Sequence, residues 1–579
     1  MKEKWMVKNR SADFKAIAAR FGVSEVIARL MVNRGLKTPE EMGAYLHPDK
    51  AQLHAPERLK DAEKTAGILM EKIRAGERIR IIGDYDVDGV VSTYILMQTL
   101  TECGAAVDFA IPERVKDGYG LNLRLVKEAK EAGVNTLLTC DNGISAVEQT
   151  AYAKACGMTV LITDHHELPA TLPDADAIVN PKQEDCHYPY KGLCGAAVAY
   201  KVAELIYVAC GKERECAEKF VAFAAIATVC DVMDLTEENR AIVSMGLIAL
   251  HQSENPGIRA ICEANGICCE TLNAYQLGYV VGPCINATGR LETAERGVRL
   301  LLSQDAEEAG SIAAKLKELN DIRKDMTAKG VKEAVAQVEN SELLQDKVLV
   351  LLLRDCHESL AGIIAGRLRE RYNRPVIVLT EAEEGLKGSA RSIPQYSMFE
   401  KLTECGQFLT KYGGHPMAAG LSLPEENLVP FRQALNERCG LTEEDLTLKI
   451  SIDAVLALSG LSFGLVEELS VLEPHGKGNE KPVFAERNLK VCGMTAIGKE
   501  RKMFRFLMED AYGTRMDALY FGDGEALEQE MLSRYGKETV RGMYRGQDMG
   551  VRMSVIYYPS INEYRDTKKL QIVIQHVQM

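Results

Sequence analysis

IRIIGDYDVDG (79–89), TLLTCDNG (136–143) and TVLITDHHE (159–167) are the three stretches whose reading decides the fold. Each opens as a short, mostly apolar run and breaks into a turn at Gly83, Asp141 or Asp164. A short apolar run bounded by turn residues reads as a strand buried on both faces. AVDFAI (106–111) and DAIVN (176–180) read the same way, and amphipathic segments such as LNLRLVKEAKEAG (121–133) separate them. Strands alternating with helices predict a parallel, doubly wound α/β domain.

Working outward, residues 1–60 read as a polar helical extension that closes on the connector HPDKAQLHAPERLKD (47–61). The α/β domain is placed at 61–300 and ends with apolar helices over 196–209 and 218–229. Residues 301–343 carry apolar side chains at helical spacing amid many charges, which predicts a long connecting helix. A second α/β domain is expected over 344–445, from KVLVLLL (347–353), a helix over 359–372 and RPVIVLT (374–380). From 446 to 579 the period shifts to alternation, as in MFRFLMED (503–510) and LQIVIQHV (570–577), and predicts a small antiparallel barrel or sandwich.

Composition bounds the function classes. A chain of 579 residues exceeds one hydrophobic core, and 46% hydrophobic with 26% charged residues is ordinary for a globular protein. No apolar run approaches the ~20 residues that span a bilayer, and no signal peptide is visible, so a cytoplasmic chain is expected. The sixteen cysteines are scattered without a CxxC pair, which argues for reduced thiols rather than disulfides or a zinc site. A net charge of −13 discriminates weakly against nucleic acid, because binding needs only a local basic groove.

The chemistry sits at the strand ends. In an open parallel sheet, ligands bind beyond the carboxyl ends of the strands. Three ends there carry acids or histidines: Asp84, Asp86 and Asp88; Asp141; and Asp164, His165, His166 and Glu167. A single DxDxDG could be a solvated turn or a calcium loop, but its twelfth position is Ile95 rather than the glutamate of an EF-hand. Carboxylates with one or two imidazoles suit Mn²⁺ or Mg²⁺ better than zinc. Two such ions ~3.5–4 Å apart could clamp a phosphoester. Asp231, after an apolar helix, is a candidate fourth corner.

GDYDVDG, DNGIS, TDHHE and ATVCDVMDL together resemble the DHH phosphoesterase superfamily. Within it, VGPCINATGRL (281–291), GSARS (388–392), GGHPMAAG (413–420) and LEPHGKGNEKPVF (472–484) are similar to the bacterial single-strand-specific exonucleases, in the same order along nearly the whole chain. The resemblance implies two Mn²⁺ or Mg²⁺ ions held by Asp86, Asp88, Asp141, His165 and Asp231, with Asp141 bridging. It also implies His166 at the scissile phosphate, Asp84 as an accessory acid and water as the nucleophile. Phosphate or DNA contacts would come from Arg290, Ser389, Arg391, Ser392 and a turn at Gly413, Gly414 and His415, with an OB-like last domain gripping the strand. The implied activity is 5′→3′ hydrolysis of single-stranded DNA in recombination and repair. A single-strand-binding protein and a helicase are candidate partners, no membrane is involved, and the chain is monomeric. Cys284 and Thr288 depart from the family pattern, which has arginine and alanine there. Two other readings share the metal turns: a DHH phosphodiesterase for short oligonucleotides or cyclic dinucleotides, and an inactive DHH scaffold.

Overall fold

The strand Thr136–Cys140 is buried at all five positions, as its unbroken run predicts for the middle of a parallel sheet. The order around it is Ala106–Ala110, Arg78–Ile82, Thr136–Cys140, Thr159–Thr163, Ala177–Val179, every pair parallel. The order of strands reverses between Arg78–Ile82 and Thr136–Cys140. This is the switch point where such sheets open a crevice. Apolar cores cover both faces of the sheet. The computed structural model describes residues 3–114, 116–382, 384–498, 503–565 and 567–579. They divide into two compact units, one built on 48–448 with 476–478, the other on 3–47, 449–475 and 479–579.

The first unit holds both α/β lobes. Helix Ala306–Glu339 joins them, capped by Asp305, whose carboxylate accepts from the Glu308 amide at 2.8 Å. Its 34 residues make a rod roughly 50 Å long. Ala309, Ala313 and Leu316 belong to the core of the first lobe, and Ala334 and Val338 to that of the second. The second lobe's sheet runs Lys411–His415, Ala418–Leu423, Leu386–Arg391, Val376–Glu381, Leu349–Leu352. Only its last pair is parallel. Helix Glu358–Tyr372 covers one face, and Met398–Glu404 with Leu428–Glu437 cover the other.

In the second unit the strands Phe484–Ile497, Met503–Glu509, Arg515–Tyr520, Thr567–Gln578 and Arg552–Tyr564 close into a five-stranded barrel, because the first also pairs with the last. The barrel differs from the expected antiparallel one. Arg515–Tyr520 pairs in parallel with Thr567–Gln578, since helix Gly524–Tyr544 and then strand Arg552–Tyr564, which runs back antiparallel, intervene in the chain. The N-terminal segment is not a separate helical extension. Glu3–Val7 is a strand paired with Leu448–Ile452, and Ile27, Leu30 and Met31 bury their side chains in the barrel core. All sixteen cysteines are free thiols, and no described helix is long and apolar enough to cross a membrane.

Candidate metal centre

The DYDVDG turn is a helix start. Asp86 caps Val87–Glu102, its carboxylate accepting from the Gly89 amide at 3.1 Å. Gly89 is required there, because a Cβ would stand 2.5 Å from the Asp84 backbone. Asp88, in the first turn, accepts from the amides of Gly195 and Ala196 at 2.6 and 2.7 Å. These amides open helix Gly195–Ala209, so its positive end holds the carboxylate oriented. Gly195 is also a close approach: a Cβ would lie 2.7 Å from that of Asp141.

Asp141 follows the next strand in the left-handed region, φ 61°, which aspartate tolerates better than most residues. Its Oδ1 lies 3.0 Å from His165 Nε2, and the same nitrogen is 3.5 Å from Asp88 and 3.8 Å from Asp231. Yet Asp141 Oδ1, both ring nitrogens of His165 and both carboxylate oxygens of Asp84 are buried without any hydrogen bond. Buried polar atoms left unpaired at such proximity are costly unless a cation completes them. The donors form three overlapping sets, Asp84–Asp86–Asp141, Asp88–His165–Asp231 and Asp141–His165–His166, each within 4.8 Å internally, so that Asp141 and His165 link the first two.

Electrostatics point the same way. Burial, then the charges of Asp88 and Asp86, raises the Asp141 carboxyl far above the usual range. The same causes push Asp231 up to about 8, and burial with the charge of Asp86 raises Asp84. Burial pushes the His165 imidazole down, so that it stays neutral and keeps a lone pair to donate. A cluster of acids that repel one another, with a neutral imidazole among them, fits two hard divalent cations.

His166 shares a donor set with His165 but is driven the opposite way in charge. Burial opposes its protonation, but the Asp164 carboxylate at 2.7 Å prevails and raises it to about 9. Asp164 is itself fixed by the amides of Ile144 and His165 at 2.9 and 2.7 Å. Tyr119 lies 3.1 Å from His166 Nδ1 and donates its hydroxyl to the Asp141 carbonyl. Neither Asp164 nor Tyr119 is assigned a role by sequence reasoning. Asp164 has a visible signal, an acid opening the strand-end turn. Tyr119 has none, since it lies in an irregular loop. Asp84, expected as an accessory acid, enters a donor set directly.

A cationic wall draws on both lobes, with Arg290 on the first and Arg391 on the second. Arg290 donates to the Ser359 carbonyl at 2.6 Å. Burial and the neighbouring Arg114 and Arg323 disfavour its charge, and burial with Arg114 and Arg369 does the same to Arg391. Cations so placed are stabilised by an incoming anion. Gly362 leaves room for this wall, since a Cβ there would lie 2.9 Å from Arg391 Nη2 and 3.4 Å from Ser389 Oγ. Ser392 is not part of the wall: it is buried, and its hydroxyl donates to the Tyr396 carbonyl at 2.6 Å. Gly413, Gly414 and His415 form no Gly-rich turn. They end an exposed edge strand, where the smallness of Gly414 lets the backbone pass Ala418 and Ala419. Glu167, in the DHH turn, is lowered by its Lys182 ion pair at 2.8 Å. Cys284 is buried with Asn320, whose Nδ2 lies 3.3 Å from its sulfur, and Thr288 bonds the Ile285 carbonyl, so neither touches the metal donors.

Comparison with known proteins agrees with this architecture. Family models match for the DHH family, N-terminal domain (78–228), the DHHA1 domain (345–440) and the RecJ OB domain (452–576). The single-stranded-DNA-specific exonuclease RecJ of Bacillus subtilis is 35% identical, covering 99% of this chain and 70% of its own. That of Haemophilus influenzae is 31% identical, covering 96% of each. The crystal structure of RecJ from Thermus thermophilus in complex with Mn²⁺ aligns with a TM-score of 0.83 at 26% identity, covering 100% of this chain and 80% of that one. The chain is therefore a member of the RecJ family of DHH phosphoesterases.

Proposed function

We propose that the protein is a metal-dependent exonuclease that degrades single-stranded DNA from the 5′ end, in DNA recombination and repair. The observation that carries the reading is the overlapping donor sets with unpaired buried atoms, beside arginines drawn from both lobes. Asp84, Asp86 and Asp141 would hold one Mn²⁺ or Mg²⁺, and Asp88, His165 and Asp231 the other. The bound cations activate water and offset charge on the phosphodiester. Helix Gly195–Ala209 fixes Asp88, so the donors are placed before substrate arrives. Asp164 holds a proton on His166 near neutral pH, and that imidazolium faces the scissile phosphate as a donor. Arg391, Arg290 and Ser389 bind the adjacent backbone, and Arg391 draws strength from the desolvation that disfavours it when free.

We further infer a monomer working in the cytoplasm, with a single-strand-binding protein and a helicase as candidate partners. The barrel lends grip on the strand, as OB folds do. Digestion of a long single strand with either the 5′ or the 3′ end blocked, in Mn²⁺ and in Mg²⁺, tests the reading. Cleavage is expected only with a free 5′ end and only with metal. Equal cleavage of both substrates would overturn the polarity, and preference for a dinucleotide would favour the short-oligonucleotide reading.

A further inference from the structure

Tyr275 and Tyr279 are among the most exposed aromatic side chains of the molecule, at 67% and 66%, and they stack on each other with centroids 4.7 Å apart and planes 23° from parallel. Large apolar rings left in water normally serve a contact. Their setting is specific. They lie one turn apart where the short helix Ala274–Gln276 passes into the π-helix Leu277–Val281. Insertions of this kind concentrate at functional sites.

That π-helix packs on the end of helix Val221–Cys230, the element that delivers Asp231. The Cys230 thiol lies 3.5 Å from the Leu277 carbonyl, and a Cβ on Gly278 or Gly282 would press on Val229 or Cys230. The residue after Asp231 is also unusual. Val232 holds φ 55°, a costly conformation for a β-branched side chain, and is 59% exposed. Three exposed apolar side chains thus occupy the two turns that meet beside one metal donor set.

We propose that Tyr275 and Tyr279 form a stacking platform for nucleobases of the single strand just outside the metal centre, with Val232 as its inner edge. The inference rests on the single-strand reading above. Stacked rings with one free outer face each accept a base of any identity, which suits a nuclease without sequence preference. The backbone phosphates would then run along the arginine wall while the bases lie on the tyrosines.

The test uses the full-length protein, Mn²⁺ and single strands carrying one abasic site at successive positions. The wild type is expected to bind and cleave less well when the abasic site falls at one or two fixed distances from the scissile phosphate. Tyr275→Ala with Tyr279→Ala should weaken binding roughly tenfold per ring and abolish that positional dependence, while hydrolysis of a small phosphodiester ester stays unchanged. The Tyr→Phe pair should behave as wild type, and the Tyr→Leu pair as the alanine pair. If the alanine pair keeps both affinity and positional dependence, or becomes monomeric where the wild type self-associates through these rings, the platform is refuted. If instead the wild type does not cleave single strands at all, the underlying functional reading fails first.

Discussion

Asp141 and Arg391 stand on the two lobes of one compact unit, the first buried and the second half-buried, and each is a charge at odds with its surroundings. The acid is destabilised by burial and by Asp88, Asp86, Asp231 and Asp84; the guanidinium by burial and by Arg114 and Arg369. They differ in how their donors and acceptors are satisfied. Asp141 Oδ1 and the His165 nitrogens have no hydrogen bond, whereas Arg391 donates to the Ala390 carbonyl at 2.8 Å and lies beside Ser389. The acidic wall is therefore incomplete without cations, and the basic wall is a finished surface waiting for an anion. On the proposed function, one wall would decide whether chemistry occurs and the other how tightly substrate sits.

The largest effect follows from the acidic wall. Asp141→Asn keeps the shape and tolerates φ 61°, but removes the charge that its neighbours oppose. Turnover should fall by roughly 10³-fold or more, the scale of losing a preorganised charged group. In chelator the melting temperature should hold or rise by about 2–4 °C, and Mn²⁺ should no longer raise it. Near-normal turnover, or a variant less stable without metal, would break the distinction between the walls.

The basic wall gives a smaller and different response. Arg391→Ala should raise the KM for a long single strand by about 10- to 100-fold and lower the salt dependence of binding by about one charge. The manganese concentration at half activity should stay where it is. Arg391→Lys should recover only part of the loss, since a point charge lacks the planar fork. A shift of the manganese midpoint in step with KM would show that the two walls act as one site.

Much of the first wall was legible in the sequence because its ligands sit at strand ends, where the apolar run, the turn and the acids are contiguous. Asp86, Asp88, Asp141 and His165 come from such turns, and the structure gathers them with Asp231. What periodicity could not reveal is support from a distance. The amides that hold Asp88 lie more than a hundred residues downstream, and Tyr119 reaches His166 from a loop with no period at all. The second wall was harder to read. GSARS and GGH stand out as motifs, but only strand pairing, Gly420 opposite Ser389 and opposite Gly413, places them side by side on one sheet. Ser392 shows the cost of reading a motif as a unit. It lies just past the strand's end at Arg391, where the chain turns, and its hydroxyl serves the Tyr396 carbonyl in the core. The barrel's closure and its parallel pair depend on a helix that passes between strands, which alternation alone does not encode.

Glu486 sharpens the comparison from outside both walls, as a buried acid with no metal-donor partners. Its Oε2 accepts from the Leu458 amide at 2.8 Å, in the barrel unit, and burial, with the charge of Asp510, raises it to about 7. A carboxyl whose folded pKa lies above its unfolded value favours folding in its neutral form. Its contribution is complete below pH ~4.5 and lost as the pH rises through about 7. Glu486→Gln keeps the acceptor and removes the charge, so it should stabilise the barrel by ~1–3 kcal/mol above pH 7, with the gain fading towards pH 4.5. Thermal unfolding of the two proteins from pH 4.5 to 8.5 checks this, and a gain independent of pH would refute it. The gain should also be the same in Mn²⁺ and in chelator. Burial alone raises an acid's pKa; an unpaired oxygen among other acids is what ties it to a metal.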